Sequence, residues 1–321
     1  MSTLPLVIVN PASARGATES VWPMMASDLR THFGPFTCVF TKESGDGRKL
    51  AAEGATEGRR LIIACGGDGT ISEVANGILE SGRDVELGVL PSGTGGDFRR
   101  SLSLPTKTAA AARALRTGHA RRMDVGRVTY VNYAGSDESR YFLGVASFGM
   151  SPAIIERVKR EGDGWLQSIS LQRIGGQLSF ALATLRTTLE TTATAVRVQL
   201  DEQSERHLTV RNLCVANARY FGGGMKIAPG AMLDDSRFDI ISVGDMDAFE
   251  IIRNAPKLYL GKHLDMLQVQ HGHARKLSAR PARIDEKVAI EVDGELPGRL
   301  PATFEILPAA LSIRCPAQQK I

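Results

Sequence analysis

Leu61-Ile62-Ile63-Ala64-Cys65 is an apolar run of strand length, and Gly66-Gly67-Asp68-Gly69-Thr70 follows it at once. Beyond the glycines, Ile71, Val74, Ala75, Ile78 and Leu79 recur at i, i+3, i+4, i+7 and i+8, the stripe of a helix with one buried face. A buried strand, a glycine turn and a helix N-terminus make a site for an anion: unpaired helix N–H groups point outward and the dipole favours negative charge. Glycine permits positive φ and removes the Cβ that would block a phosphate. The pattern occurs twice, because the expected strand Val85 to Leu90 runs into Pro91-Ser92-Gly93-Thr94-Gly95-Gly96. Neither loop is a GxxxxGK[ST] P-loop, and the first lacks the third glycine of GxGxxG.

Outward from this unit, strands expected at Leu6–Val9 and Phe36–Phe40 alternate with helices at Val21–Phe33, Gly47–Glu57 and Lys107–Thr117. Such alternation implies parallel β-structure in an α/β fold. After about residue 122 the rhythm changes. Arg127–Tyr133 and Arg140–Ser147 alternate around a turn at Gly135-Ser136-Asp137, and Ala195–Leu200 and Leu208–Ala216 around Asp201-Glu202-Gln203. Phe238–Val243, Lys287–Val292 and Ala302–Ile306 add strands, so this half is expected to be mostly antiparallel. Leu171, Ile174, Leu178, Leu182, Leu185 and Leu189 recur at helical spacing; they suit a helix packed on the sheet or one that touches lipid.

The 321 residues are 43% hydrophobic and 23% charged, the balance of an ordinary globular protein of about two domains. Aromatics at 6% and a net charge of +4 argue against a nucleic-acid partner. Arg99, Arg100, Arg113, Arg116, Arg121, Arg122 and Arg127 form a local cluster, which reads either as solvated helix charge or as attraction to polyphosphate or an anionic membrane. Cys38, Cys65, Cys214 and Cys315 contain no CxxC pair, and the first three sit in apolar runs as expected buried residues. His271 and His273 flank a glycine with no further cysteine or histidine close in sequence, which argues against a metal. No signal peptide or transmembrane run is read, so the expectation is a cytoplasmic chain whose membrane contact is peripheral.

Asp68 decides the chemistry. A carboxylate within a phosphate cradle repels its ligand by about 4 kcal/mol at roughly 4 Å and an effective dielectric near 20. It is tolerable where a divalent cation bridges or where it faces a hydroxyl nucleophile, and both belong to phosphoryl transfer. Asp97, after the second loop, follows the same logic.

The stretch Cys65–Gly77 resembles the GGDGTxxEVxNG signature of the diacylglycerol kinase catalytic family, which groups bacterial soluble lipid kinases with sphingosine and ceramide kinases. Asn10-Pro11-Ala12-Ser13 resembles its NPxSG motif and Leu90–Phe98 its GTxND motif. Asn217–Met225, Ala228–Asp235 and Val292-Asp293-Gly294-Glu295 resemble its later signatures, so the likeness runs from residue 6 to about 306. Gly96 stands where that family usually has Asn, and Ser236 where Gly usually follows the acidic pair.

The resemblance implies an α/β nucleotide-binding domain with a parallel sheet (NAD-kinase/phosphofructokinase-like) over residues 1–124, completed by 303–321. A mostly antiparallel β-sandwich over 125–302 would take the lipid. It implies ATP between the domains against the first, held by Asn10, Pro11, Ala12, Ser13 and Ala14, by Gly66, Gly67, Asp68, Gly69, Thr70, Ile71 and Ser72, and by Thr41 and Thr94. Asp68 and Asp97 would organise catalytic Mg²⁺. Glu295 would be the general base, with Asp293 beside it and Asp68 as the rival base. Asp235, with carbonyls near Met232 and Arg237, would hold a second, structural Mg²⁺. The implied function is transfer of the γ-phosphate of ATP to the hydroxyl of a diacylglycerol-like lipid presented at a membrane surface, and a homodimer is left open. The alternatives are a kinase of a soluble substrate such as NAD, a sphingoid-base or ceramide kinase, and a catalytically silent lipid-binding protein.

Overall fold

The computed structural model describes residues 4–93, 96–161 and 192–316. The chain divides into two units, Met1–Val125 with Leu233–Ser236 and Leu307–Ile321, and Gly126–Met232 with Arg237–Ile306.

In the first unit β1 (Leu6–Val9), β2 (Thr37–Phe40), β3 (Leu61–Gly66) and β4 (Glu86–Pro91) run parallel in the order β2-β1-β3-β4. Ser312 and Ile313, from the chain's last strand, pair in parallel with Glu86 and Leu87. Every residue of β1 and β3 is buried, which is why these strands are unbroken apolar runs rather than alternating ones. Five helices follow the strands: α1 (Ala17–His32), α2 (Asp46–Thr56), α3 (Asp68–Glu80), α4 (Asp97–Ser101) and α5 (Thr108–Thr117). Trp22, Met25 and Leu29 of α1 and Ala111, Ala112 and Leu115 of α5 pack with Val7, Val9 and Ile63 in one core. The α2–α3 pair needs Gly77, because a Cβ there would lie 2.1 Å from the Arg48 carbonyl oxygen. The chain lays β2 on one side of β1 and then crosses to place β3 on the other. The strand order therefore reverses between β1 and β3, where open α/β sheets bind their ligands.

The second unit contains β5 (His119–Asn132, which enters from the first unit), β6 (Asp137–Phe142), β7 (Val145–Gly149), α6 (Met150–Glu161), β8 (Thr194–Leu200), β9 (Arg206–Val210), β10 (Asn212–Ala216), β11 (Phe238–Val243), α7 (Ala248–Leu260), β12 (Val269–Ala274), β13 (Lys276–Pro281) and β14 (Ala289–Val292). Its last strand is β15 (Glu295–Cys315), whose residues after Ile306 belong to the first unit. One sheet has the order β12-β11-β10-β7-β14-β15; the other collects β9, β8, β13, β5 and β6 around β15. Between them Phe142 and Phe238 stack with centroids 5.5 Å apart, and Phe304 meets Phe142 edge-on at 6.4 Å. This is the expected β-sandwich.

Three local expectations are corrected. Arg140–Ser147 is two strands, because Leu143 and Gly144 turn to donate both backbone N–H groups to the Asp293 carboxylate. Leu208–Ala216 is also two, broken at Arg211, whose buried guanidinium donates to the Met246 carbonyl at 2.6 Å. Cys38 is exposed rather than buried, because β2 is an edge strand and Cys38 lies on its outer face. The leucine stripe at 171–189 lies outside the described residues. Among the described residues no helix is long and apolar enough to cross a membrane.

Candidate active site

The C-terminal ends of the parallel strands gather the expected nucleotide residues of the first unit. The Asn10 N–H donates to the Cys65 carbonyl at 2.9 Å, the Thr41 N–H to Val9 at 2.9 Å, and the Ser92 N–H to Gly66 at 3.0 Å. Across the β1/β3 reversal, Asn10 Nδ2 donates to Thr70 Oγ1 at 3.0 Å, while Asn10 Oδ1 accepts from the Ala12 N–H at 3.0 Å. The Gly67 N–H donates to Ser13 Oγ at 3.3 Å, and Thr18 Oγ1 donates to Ser92 Oγ at 3.1 Å. Three loops are thus tied into one rim. Thr41, Thr70, Ile71 and Ser72 have buried side chains, and the Ile71 N–H donates to the Gly67 carbonyl at 3.1 Å, so Ile71 supports the rim from within α3. Thr94 lies outside the described residues.

Two kinds of glycine emerge. A Cβ on Gly69 would meet nothing within 4 Å, so that position opens onto space; the N-cap of α3 is Gly67, which has no side chain to cap the helix N–H groups. Such a helix end favours an anion. By contrast, a Cβ on Gly93 would lie 2.4 Å from Gly67 Cα, and one on Gly66 would lie 2.3 Å from Thr70 Oγ1. Those two glycines allow the loops to touch each other.

Asp68 is the hinge of the rim. Its Oδ2 accepts from the Asp97 N–H at 3.0 Å and its Oδ1 from the Phe98 N–H at 3.1 Å, so it caps α4. Each oxygen keeps a lone pair for a cation. Asp97 holds Arg100 through Oδ1 at 2.9 Å. Gly96 has φ 65°, a conformation that Asn and Gly both reach readily, so its replacement of Asn leaves the backbone path intact. Ser236 has φ 61°, where glycine would be unstrained.

Among the clustered arginines, five are engaged by the protein itself: Arg99 with the Leu104 carbonyl, Arg100 with Asp97, Arg121 with Asp234, Arg122 with Asp84 and Arg127 with Glu305. Arg113 and Arg116 are exposed on α5.

In the second unit Asp293 spends both carboxylate oxygens on the Leu143 and Gly144 N–H groups at 2.9 Å and sits at φ 48°. It braces the turn that presents Glu295, which is exposed at the start of β15. Met232 and Arg237 are exposed and Asp235 is half-buried.

Sequence reasoning missed three acidic residues here. Glu73, within the GGDGTxxEV signature, accepts from the Gly45 and Gly47 N–H groups at 2.8 and 3.0 Å and so caps α2. Asp124 is buried; it accepts from the Ser236 N–H at 2.6 Å and the Ala309 N–H at 2.8 Å, locking three distant segments of the first unit. Glu291 is buried beneath the Asp293–Glu295 turn, accepting from Ser147 Oγ at 2.5 Å and the Gly294 N–H at 2.7 Å; burial pushes its carboxyl up to about 7. The only available signal for Glu291 was its place between Ile290 and Val292. Burial also pushes the Cys65 thiol up to about 12, so it is a packing residue and no nucleophile.

Residues 5–128 match the family model described as diacylglycerol kinase catalytic domain, and residues 167–315 match that described as YegS C-terminal NAD kinase beta sandwich-like domain. The diacylglycerol kinase of Staphylococcus saprophyticus is 29% identical over 93% of this chain and 90% of its own length; that of Bacillus subtilis strain 168 is 28% identical over 93% and 91%. A crystal structure of a putative diacylglycerol kinase from Bacillus anthracis superposes with a TM-score of 0.74 at 25% identity, covering 98% of this chain and 97% of that one. Yeast NADH kinase complexed with NADH reaches a TM-score of 0.51 at 9% identity over 99% and 84%, a likeness of fold alone. With the glycine rim in its first unit and the sandwich in its second, the chain pairs a diacylglycerol kinase catalytic domain with a YegS C-terminal-like domain, and it is a kinase that acts on an alcohol acceptor.

Proposed function

We propose that this protein transfers the γ-phosphate of ATP to the hydroxyl of a diacylglycerol-like lipid. The observation that carries the reading is the rim at the β1/β3 reversal: glycine backbone open at Gly69, an α3 N-cap that is a glycine, and Asp68 within the same loop. Asn10–Ala14 and Gly66–Ser72 line the phosphates with small side chains and the N-terminus of α3, and Thr41 and Thr94 are the further nucleotide contacts of this reading. Asp68 and Asp97 are the carboxylates suited to hold Mg²⁺, which when bound neutralises charge on the β- and γ-phosphates. Asp68 also positions α4, so losing it disturbs both charge and geometry.

Glu295 accepts the proton of the lipid hydroxyl as that oxygen attacks. Its exposure supports the assignment, since a base must reach the substrate; Asp293 is occupied with two backbone amides and serves as its support. The oxygen-rich turn at Met232, Asp235 and Arg237 suits a second, structural Mg²⁺. We place the enzyme in the cytoplasm, working on lipid at a membrane surface through peripheral contact. Exposed Phe249 and Leu260 on α7 and Leu267 beyond it support that contact.

The test is phosphorylation with labelled ATP of diacylglycerol micelles, sphingoid base, ceramide and NAD in parallel, with product mass analysis. Labelled phosphatidic acid, lost in Glu295→Gln and in Asp68→Ala, is the expected result. Product from NAD and none from lipid, or unchanged turnover in both variants, would sink the reading.

A further inference from the structure

We infer that Asp239, His271 and His273 form a binding site for a late first-row divalent cation of the zinc class, separate from the Mg²⁺ assigned to phosphoryl transfer. In sequence the two histidines stand apart from any third ligand. The fold supplies it. β11 and β12 pair antiparallel with Asp239 opposite His273 and Ile241 opposite His271, and the His-x-His spacing puts both imidazoles on the same face as Asp239. Phe238, Ile240 and Ala274 point the other way, into the core.

The geometry is that of a built site. The Asp239 side chain is 4% exposed, and the Nε2 atoms of His271 and His273 both lie beside its carboxylate. His271 Nε2 lies 2.8 Å from Asp239 Oδ1 and His273 Nε2 lies 3.6 Å from the same oxygen. The first is a hydrogen bond. The second is too long for one, so the second imidazole converges on a buried carboxylate without a bond to explain it. All three donor atoms lie within 4.8 Å of one another. Ligands about 2.0–2.2 Å from a tetrahedral ion sit roughly 3.3 Å apart, so a small rotation opening the shorter contact makes room. A buried carboxylate is costly unless compensated, and a cation would compensate it.

Two imidazole nitrogens and one carboxylate oxygen select zinc, cobalt or nickel over magnesium or calcium, which want oxygen alone. The histidine side chains are 29% and 40% exposed, so a fourth coordination position faces solvent for water or another ligand. Since β12 ends its sheet, the ion would staple an edge strand to its neighbour.

The test uses the full chain, stripped with a chelator and kept in Mg²⁺, titrated with Zn²⁺ by calorimetry and with Co²⁺ by visible absorption. One equivalent should bind, with the absorption of a four- or five-coordinate cobalt and a rise in melting temperature. His271→Gln and His273→Gln should each weaken binding at least about tenfold, and the double variant should abolish it and the thermal shift. Because Asp239 is buried and Asp239→Asn is at risk of misfolding, the half-exposed histidines carry the test, with circular dichroism confirming their fold. No uptake by the wild-type chain, uptake unchanged in His273→Gln, or full competition by Mg²⁺ would each overturn the site. Phosphoryl transfer is measured separately, so neither result stands in for the other.

Discussion

Asn10 Nδ2 donates to Thr70 Oγ1 at 3.0 Å, closing the gap between the loops after β1 and β3 where the strand order reverses. Asn10→Ala removes this bond and the one from the Ala12 N–H. With each of the two bonds worth about 1 kcal/mol and a decade of affinity about 1.4 kcal/mol, the KM for ATP should rise by up to about thirtyfold while kcat changes less. Thr70→Ser, which keeps the hydroxyl, should stay near wild type. ATP titrations of lipid phosphorylation decide it; equal KM values for Asn10→Ala and wild type would detach this pair from nucleotide binding.

Asp68 caps α4 through two backbone amides, and the proposed mechanism also asks it for charge. Asp68→Asn separates the two roles, since the amide oxygen still accepts one bond. We expect a stability loss of about 1 kcal/mol or less, but a fall in kcat of at least about 100-fold if the charge holds Mg²⁺. Urea unfolding and turnover are compared on the same preparation. A fall in activity no larger than the stability loss accounts for would reduce Asp68 to a cap.

The parallel half of the fold was legible because β1 and β3 are buried on both faces and are therefore unbroken apolar runs between glycine loops. The strand breaks at Gly144 and Arg211 were not, because each is imposed by a partner remote in sequence: Asp293 in one case, Met246 in the other. The glycine clusters were half legible. Composition shows close approach but not to what, and Gly66 and Gly93 prove to be spaced for Thr70 and Gly67. Buried carboxylates such as Asp124, Asp239 and Glu291 carry no local signal, since strand pairing and long loops alone bring their partners to them.

Ala14 and Ser236 occupy left-handed backbone at φ 55° and 61° without being glycine. The conformation costs a residue with a Cβ roughly 1–2 kcal/mol, and glycine gives back part of that as chain entropy. Ala14→Gly and Ser236→Gly should therefore each stabilise the protein by about 0.5–1 kcal/mol. Gly16→Ala, at φ 85°, should act in the opposite direction. Denaturant midpoints at fixed m-value report all three, and a loss of stability in both glycine variants would show that their side chains hold more than the strain costs.

Glu291 makes stability depend on pH. Burial raises its carboxyl most, from the ordinary 4.5 to about 7; hydrogen bonds from Ser147 and Gly294 oppose the rise, the Asp293 charge adds to it and Arg140 opposes it. Between those two values the folded protein holds a proton that the unfolded chain has released. Its contribution is thus fully present below pH 4.5, is lost as pH rises toward 7, and is flat above. Glu291→Gln is neutral throughout; its amide oxygen can accept from the Gly294 N–H and its amino group can donate to Ser147 Oγ. The variant should match wild type in acid and exceed it at pH 8 by an amount on the order of a few kcal/mol. Urea midpoints from pH 5 to pH 8 check this, and parallel pH profiles for the two proteins would show that Glu291 is ionised in both states.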